Sequence, residues 1–420
     1  MTLSNFQESL KKYADLVINV GLNLQKGQRF LINNPSTRGV QLHAAPLVRE
    51  LVASAYRAGA EHVEVIWGDE ASLLSKYKNG PNSSFDEFPT WQVQAVLDLI
   101  EKGGAHLSVR SNNPYLLSEE DPDLVARMQK KYVQTFSPVS QKMSANIVNW
   151  CVIAAAGKDW ASAVFPKLSP EEAEDRLWEA IFSITRVDQP DPVAAWKDHI
   201  VNLKKRSAYL NGKQYTALKY RAPGTDLTVG MPRGHRWLSA REKTQSGIDF
   251  TANLPTEEAF SMPHKDQIDG VVSASMPLSY AGTTLEDFTL AYENGRVTRV
   301  TAKKGEHVLK KLVETDQGAA SLGEVALVPH SSPISQRGHL FLDPLIDENA
   351  ASHLAIGRAY PVTLEGGEEM SEEEFQRNGG NTSLVHVDFM VGSGEMDIDG
   401  VKEDGSVEPI MRAGEWSFDV

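Results

Sequence analysis

His386 and Asp388 lie two residues apart in the segment SLVHVDFMVGS, whose composition predicts a β-strand. Successive side chains of a strand point to opposite faces, so these two share one face while Val385, Val387 and Phe389 share the other. An imidazole beside a carboxylate can bind a metal ion or move a proton. The same pattern also suits a half-exposed strand with a polar outer face, so the pair needs support from other segments.

Triplets of His, any residue and an acidic residue are too common to identify a site by themselves. With 11 His and 56 acidic residues in 420, about 1.5 such triplets are expected by chance. Three occur, and the other two run from His62 to Glu64 and from His264 to Asp266. We expect His62 and Glu64 to be structural or edge residues of a strand.

Two other segments of the second half place carboxylates at turns or strand starts. ANLPTEEAFSMPH contains Glu257 and Glu258 shortly after a proline, and either could face a site. In SLGEVALVP, Glu324 begins an apolar strand. A carboxylate in that position often only marks the end of a strand in water, so Glu324 also needs partners to indicate function.

The segment LFLDPLIDENAASHLAIGRAY adds Asp347, Glu348, His353 and Tyr360. A single His in such a mixed segment is more often a core residue than a ligand. If the segment were helical, His353 and Tyr360, seven residues apart, would share a face. Gly357 lies between them and disfavours a helix.

Taken together, these segments contain the ligands of a dinuclear metal site. Two ions about 3.5 to 4 Å apart need five or six ligands, including a bridging carboxylate. Zinc, cobalt and manganese accept imidazole nitrogen and carboxylate oxygen. Three carboxylates and two imidazoles are available, from Glu258, Glu324, His353, His386 and Asp388.

The order of predicted elements indicates two domains. The first 190 residues alternate amphipathic helices with apolar strands, which predicts an α/β layer on a largely parallel sheet. Beyond Lys213, short alternating strands separated by Gly and Pro predict a mainly antiparallel α+β domain. We place the boundary at DQPDP, giving an N-terminal α/β domain of residues 1–189 and a metal-binding catalytic domain of residues 190–420.

Composition and charge exclude several classes of protein. The net charge of −14 disfavours a nucleic-acid partner. The chain lacks a predicted signal peptide and any apolar run long enough to span a membrane, so we expect a cytoplasmic protein. Cys151 is the single cysteine, which excludes an internal disulfide and a Cys-rich zinc site, and its apolar neighbours predict a buried strand. No phosphate loop, Gly-x-Ser-x-Gly elbow or His-Glu-x-x-His helix occurs.

The motifs PTEEAF, LGEVALV, DENAASHLAIGRAY and HVDFM, in this order, resemble the aminopeptidase T (thermophilic aminopeptidase) family of metallopeptidases. The resemblance is close in the second half, whereas the first half matches in length and texture only. It places the catalytic tyrosine at Tyr360, and Glu348 could be an additional ligand or a general base. The implied metal ligands are Glu258, Glu324, His353, His386 and Asp388.

The resemblance also implies an activity and an assembly. It implies an aminopeptidase that uses two divalent ions to release amino-terminal residues from peptides with a free N-terminus, and a homodimer whose active sites face an enclosed cavity. Glu257 or Glu258 could be the first ligand, and the resemblance implies Glu258, because the spacing from Glu258 to Glu324 agrees with the family pattern. His264 and Asp266 match no ligand position, so we expect them to be structural or cavity-lining. The alternatives are another dinuclear hydrolase, such as an amidase or carboxypeptidase, and a non-catalytic binding module with a structural cation.

Overall fold

The computed structural model describes residues 3–280 and 283–420. Helices and strands alternate in the first half, and strands predominate in the second. The α-helices are α1 (Leu3–Leu16), α2 (Ala45–Arg57), α3 (Glu70–Asn79), α4 (Thr90–Glu101), α5 (Pro122–Ser144), α6 (Lys158–Val164), α7 (Pro170–Ile184), α8 (Pro192–Lys213), α9 (Glu306–Val313), α10 (Pro344–Asp347) and α11 (Glu372–Arg377).

The strands are β1 (Arg29–Asn33), β2 (Val40–Gln41), β3 (His62–Val65), β4 (Trp67–Gly68), β5 (Ala105–Arg110), β6 (Trp150–Ala154), β7 (Ala217–Ala222), β8 (Thr225–Gly230), β9 (Leu238–Ser239), β10 (Glu242–Lys243), β11 (Asp249–Phe250), β12 (Asn253–Leu254), β13 (Ala259–Ser261), β14 (Ile268–Ser273), β15 (Leu278–Tyr280), β16 (Thr283–Leu285), β17 (Thr289–Glu293), β18 (Arg296–Thr301), β19 (Leu322–Leu327), β20 (His353–Gly357), β21 (His386–Met390), β22 (Asp397–Val401), β23 (Val407–Arg412) and β24 (Glu415–Trp416).

The chain forms two compact units. The first comprises the residues up to 199 together with 241–255 and 340–345, and the second comprises 200–240, 256–339 and 346–420. The predicted boundary between residues 189 and 190 falls just before α8, whereas the first unit ends at His199, inside that helix. The two later segments that return to the first unit were not predicted.

The first unit is built on a parallel sheet with the strand order β12-β6-β5-β1-β3. Every neighbouring pair in it is parallel, because helices carry the chain back between successive strands. Cys151 lies in β6 and is fully buried, as its apolar neighbours predict. The predicted α/β class of the N-terminal part is confirmed.

The second unit contains two large antiparallel sheets. One has eight strands in the order β18-β17-β14-β8-β7-β22-β23-β24, and the other has five in the order β21-β20-β19-β13-β9. Both sheets contribute to one apolar core, in which Val325, Leu354 and Phe389 represent the five-stranded sheet. Since side chains alternate along a strand, the opposite face of that sheet is free for polar residues. The predicted mainly antiparallel second domain is confirmed.

The segment around His353 is a strand, so the helical alternative is wrong. His353 to Gly357 pair with β19 on one side and β21 on the other. Gly357 has a φ of +100°, and a Cβ there would come within 2.2 Å of the Val385 carbonyl oxygen. Pairing on both sides and this glycine conformation fix an extended chain.

Along residues 3–280 and 283–420, every helix is too short or too polar to cross a membrane.

Candidate metal centre

Three neighbouring strands present the candidate ligands on one face of the five-stranded sheet. Glu324 in β19 lies directly opposite Ala355 in β20, which in turn lies opposite Asp388 in β21. His353 precedes Ala355 by two residues, and His386 precedes Asp388 by two, so both imidazoles share that face. The small side chain of Ala355 therefore separates the two carboxylates.

A β-bulge directs Glu324 toward this face. The register between β19 and β20 shifts between Leu322 and Glu324, so Leu322 packs in the core while Glu324 faces the opposite way. On a regular strand both would point to the same side. A Cβ at Gly323 would approach the carbonyl oxygens of Gly357 and Arg358 to 2.3 Å. Glycine is therefore required at the bulge.

The side chains form two groups that share one carboxylate. His353 Nε2 lies 3.2 Å from Glu258 Oε2 and 3.4 Å from Glu324 Oε1. His386 Nε2 lies 3.9 Å from Glu324 Oε2 and 3.4 Å from Asp388 Oδ1. Each group offers three ligand atoms that lie within 4.8 Å of one another. The two carboxylate oxygens of Glu324 thus face different imidazoles.

Backbone carbonyls orient both imidazoles. The Nδ1 of His353 lies 3.1 Å from the carbonyl oxygen of Ala351, and the Nδ1 of His386 lies 2.7 Å from that of Arg358. Because a carbonyl only accepts hydrogen bonds, Nδ1 carries a proton in each ring. Nε2 is left to face the carboxylates, the arrangement typical of metal-ligating histidines.

The cluster carries more negative charge than its own residues can balance. Burial alone would lower the pKa of His386, but Asp388 and Glu324 outweigh that effect and raise it to about 9. His353 responds in the same way, and the carboxylates Glu258 and Glu324 raise its pKa well above the usual value. Burial raises the pKa of Glu324, which shows that its charge is poorly compensated.

Two carboxylate oxygens of the cluster lie within 3.4 Å of an imidazole Nε2 but accept no well-aligned hydrogen bond from any described residue. They are Glu258 Oε2 and Asp388 Oδ1, and both are buried. Buried charges are normally paired or bound to metal. The donor set of imidazole nitrogen and carboxylate oxygen, together with these unpaired oxygens, fits divalent cations such as zinc, cobalt or manganese.

Glu348 and Tyr360 border the cluster. Burial, followed by the nearby carboxylates of Asp388 and Glu258, raises the pKa of Glu348 well above its usual value. The Tyr360 ring lies 4.7 Å from the His386 ring, measured between centroids. Burial and neighbouring carboxylates also raise the pKa of Tyr360, so its phenol keeps its proton at neutral pH.

Neither three-atom group found among the described residues includes Glu348 or Glu257. Glu348 begins the 3₁₀ turn Glu348–Ala350, and Asn349 of this turn accepts the Glu257 N–H at 2.8 Å. This bond ties the Glu257 segment to the Glu348 turn. Of the two adjacent glutamates, Glu258 is the one whose carboxylate contacts His353.

The two remaining His-x-acid triplets lie outside the cluster. His62 and Glu64 are exposed on β3, which forms an edge of the parallel sheet. The N–H of Asp266 donates to His264 Nδ1 at 3.2 Å, a contact within a turn, and Asp266 is exposed. These placements agree with structural roles.

Comparison with known proteins identifies the family. A family model described as thermophilic metalloprotease (M29) matches residues 6–416. The chain belongs to the M29 family. M29 relatives include aminopeptidase AmpS of Bacillus subtilis (strain 168), 47% identical over 99% of this chain and 100% of the relative.

Other M29 relatives are equally complete. Aminopeptidase 2 of Geobacillus stearothermophilus is 45% identical over the full length of both chains. Aminopeptidase T of Thermus thermophilus is 44% identical over 98% of this chain and 99% of the relative. The solved structure of wild-type AmpT from Thermus thermophilus superposes with a TM-score of 0.92 at 43% identity, covering 98% of this chain and 100% of that one. The predicted family and the predicted class, a metalloaminopeptidase, are confirmed.

Several features of this M29 site cannot be found by motif reasoning. Gly323 and Ala355 are small residues that shape the site through the pairing of strands. Ala351 and Arg358 contribute backbone carbonyl groups, which every residue has and which no sequence motif therefore reports. Asn349 positions the backbone of Glu257 across many residues of sequence. The only signal of the bulge in the sequence is that Gly323 directly precedes Glu324.

Proposed function

We propose that the protein hydrolyses the first peptide bond of peptides with a free amino terminus, and that it depends on two divalent cations. The observation that carries the proposal is the shared carboxylate of Glu324, whose two oxygens face His353 and His386 separately. One shared carboxylate between two ligand groups is the arrangement of a dinuclear hydrolase.

One group of ligands would be Glu258, Glu324 and His353, and the other Glu324, His386 and Asp388. When bound, zinc, cobalt or manganese ions supply Lewis acidity, which lowers the pKa of water toward about 7 and polarises the peptide carbonyl. The bonds from Nδ1 of both imidazoles to backbone carbonyls keep Nε2 turned toward the ligand carboxylates, so neither ring would have to rotate for a metal ion to bind.

Glu348 is the candidate proton carrier. Its raised pKa is that of a carboxyl group that readily takes up a proton, and neither ligand group includes it. Glu348 would accept a proton from the attacking water and deliver it to the departing amine, the two tasks of a general base and general acid.

Tyr360 is the candidate hydrogen-bond donor to the oxygen that gains charge as the carbonyl is attacked. Its phenol stays protonated at neutral pH and lies beside His386. One donor of this kind commonly contributes about 3 kcal/mol to the lowering of the barrier.

The negative cluster also accounts for the requirement for a free amino terminus. Three ligand carboxylates are balanced by only two imidazoles within this set of residues. A substrate α-amine would be attracted to this charge, whereas an acetylated amide would carry neither the charge nor a basic nitrogen.

Comparison of leucyl-p-nitroanilide with its N-acetyl derivative tests the proposal. We expect turnover of the unblocked compound only, loss of activity after chelation, and its return on addition of zinc, cobalt or manganese. Cleavage of the acetylated compound would instead favour an amidase, and release of carboxy-terminal residues from tripeptides a carboxypeptidase. Retention of full activity in a verified metal-free protein would overturn the proposal.

The homodimer implied by the family resemblance and the cytoplasmic location expected from the sequence stay predictions. Light scattering coupled to size-exclusion chromatography measures the first, with an expected mass of twice 46.2 kDa. Fractionation of source cells measures the second.

A further inference from the structure

The first unit contains a cavity of its own, of about 180 Å³. It lies at the edge of the parallel sheet where the strands end. Ser111 directly follows β5, and Asp159 follows β6 by a few residues. Glu70 lies beyond β3 in the chain, after the short strand β4, which pairs with β2 outside this sheet. Parallel strands end at the same edge, so segments distant in sequence meet around this cavity.

The strand order places this edge at a reversal of the chain. From β1 the chain passes to β3 on one side, and it then crosses to β5 and β6 on the other side. Adjacent strands whose connections leave in opposite directions open a crevice at their carboxyl ends, and open α/β sheets bind ligands there. Ser111 follows one of the two strands that flank the reversal.

A buried hydroxyl in the cavity wall has no partner. Ser111 is 1% exposed, it lines the cavity, and its Oγ forms no hydrogen bond to any described residue. Leaving a buried hydroxyl without a hydrogen bond is unfavourable. Trp160, also 1% exposed, forms another part of the wall. A suitable ligand would form a hydrogen bond with the Ser111 hydroxyl and place its apolar atoms against Trp160.

The charge of the lining selects a cation. Three carboxylates line the cavity, those of Glu70, Asp159 and Glu174. Lys158 lines it too, but its Nζ is 2.8 Å from Glu171, outside the lining, which offsets its charge. The wall is therefore negative overall.

The ionisation of neighbouring groups supports this charge balance. Burial raises the pKa of Glu70 and of Glu174, so a cation in the cavity would stabilise both carboxylates. Burial lowers the pKa of His43, which also lines the cavity, so its ring is uncharged at neutral pH. The ring packs against Gly157, where a Cβ would come within 2.3 Å of His43 Nε2.

The size and geometry of the cavity indicate a small organic cation. The cavity volume of about 180 Å³ is smaller than the roughly 300 Å³ or more that drug-sized ligands need. None of the three-residue groups that could hold a metal ion, among the described residues, lies in this cavity. The lining thus favours a ligand that donates hydrogen bonds and carries a positive charge.

We propose that this cavity binds the ammonium group of a small amine no larger than a single amino acid. Glu70 and Glu174 accept hydrogen bonds from the ammonium group, and Ser111 provides the remaining polar contact. This binding does not depend on the function proposed for the metal centre, since every lining residue belongs to the first unit.

Isothermal titration of the metal-loaded full chain with L-alanine, ethylamine and N-acetyl-L-alanine tests the proposal. The variants are Ser111→Ala and Glu174→Gln, with Glu179→Gln as the matched control. Glu179 lies on the same helix as Glu174, outside the lining, and pairs with Arg176 at 3.4 Å. Thermal unfolding and turnover of unblocked peptides are measured on each variant.

We expect alanine and ethylamine to bind and N-acetyl-alanine not to bind. Ser111→Ala and Glu174→Gln should each weaken binding by about tenfold or more, while Glu179→Gln leaves it unchanged. Ser111→Ala should not lower the unfolding temperature, because its hydroxyl makes no hydrogen bond to a described residue. Peptide turnover should be the same in all variants.

Comparison of the ligands shows which chemical groups of the amine the cavity recognises. Equal affinities for ethylamine and alanine mean that the ammonium group alone is recognised, and tighter binding of alanine means that its carboxylate contributes; both support the proposal. Equal affinity of wild type, Ser111→Ala and Glu174→Gln, or equal binding of N-acetyl-alanine, overturns it. Failure of the proposed peptidase function would appear separately, as absent peptide turnover with amine binding intact.

Discussion

Glu324→Ala should remove both metal ions, whereas Asp388→Ala should remove one. Glu324 belongs to both ligand groups, with one oxygen 3.4 Å from His353 Nε2 and the other 3.9 Å from His386 Nε2. Asp388 and Glu258 belong to one group each. The expected metal content is two ions per chain in wild type, none in Glu324→Ala, and one in either Asp388→Ala or Glu258→Ala.

The effect on stability follows from linkage. Each ion at a hundred times its dissociation constant stabilises the folded state by about 2.7 kcal/mol, so two contribute about 5 kcal/mol. The unit that holds the site consists of residues 200–240, 256–339 and 346–420, which is about 200 residues, and 1 kcal/mol shifts the Tm of such a domain by roughly 2–4 °C. Metal should raise the Tm of wild type by about 10–20 °C, that of Asp388→Ala by about half as much, and that of Glu324→Ala not at all.

Elemental analysis after dialysis and calorimetry with and without zinc measure these values. Glu314→Ala is the matched control, because Glu314 is an exposed carboxylate of the same unit. Metal-free Glu324→Ala should be less stable than metal-free wild type, because the substitution leaves His353 and His386 without one carboxylate partner. The change in Tm that zinc produces within each protein is therefore the quantity to compare. Binding of two ions by Glu324→Ala would refute the shared-carboxylate reasoning. So would a rise in the Tm of Glu324→Ala on metal addition that is as large as the rise in wild type.

Three further predictions concern single residues. Tyr360→Phe should lower kcat by about 10²–10³-fold with unchanged metal content, because it removes one oxyanion donor; unchanged kcat in steady-state assays would exclude that role. Gly323→Ala should lower the Tm and the metal content together, since its Cβ would come within 2.3 Å of two carbonyl oxygens; a normal metal content would show that the bulge does not aim Glu324. Bonds from Lys213, from Lys402 and from a tyrosine hydroxyl lower the pKa of Glu408 from 4.5 to about 2, so its stabilisation is present above pH 4.5 and is lost as the pH falls toward 2. Glu408→Gln should flatten that decline in acid unfolding curves, and an unchanged decline would contradict it.

Strand alternation predicted more of the site than any single motif. The two-residue period correctly separated the core face of β21, with Val387 and Phe389, from the face of His386 and Asp388. It succeeded because this strand is regular along its whole length. The choice of ligands across distant segments rested on resemblance, since sequence spacing does not report distance in space.

The same period fails in β19, for a physical reason. Regular alternation would put Leu322 and Glu324 on one face, but the bulge at Gly323 moves Leu322 into the core and Glu324 to the site. A bulge depends on the partner strand, which local sequence does not describe. The two-residue strand β12 is a similar case, because it adds to the parallel sheet beside β6 from about 100 residues further along the chain.

The small size of the Ala355 methyl group leaves space between the carboxylates of Glu324 and Asp388. Because it lies in the middle of the row from Glu324 to Asp388, a branched side chain there would project between the two carboxylates and, on the proposed function, occupy space that the cations would need. The carboxylates would then have only the two imidazoles to balance their charge. On the proposed function, the room for cations inside this unit therefore depends on a residue that carries no charge.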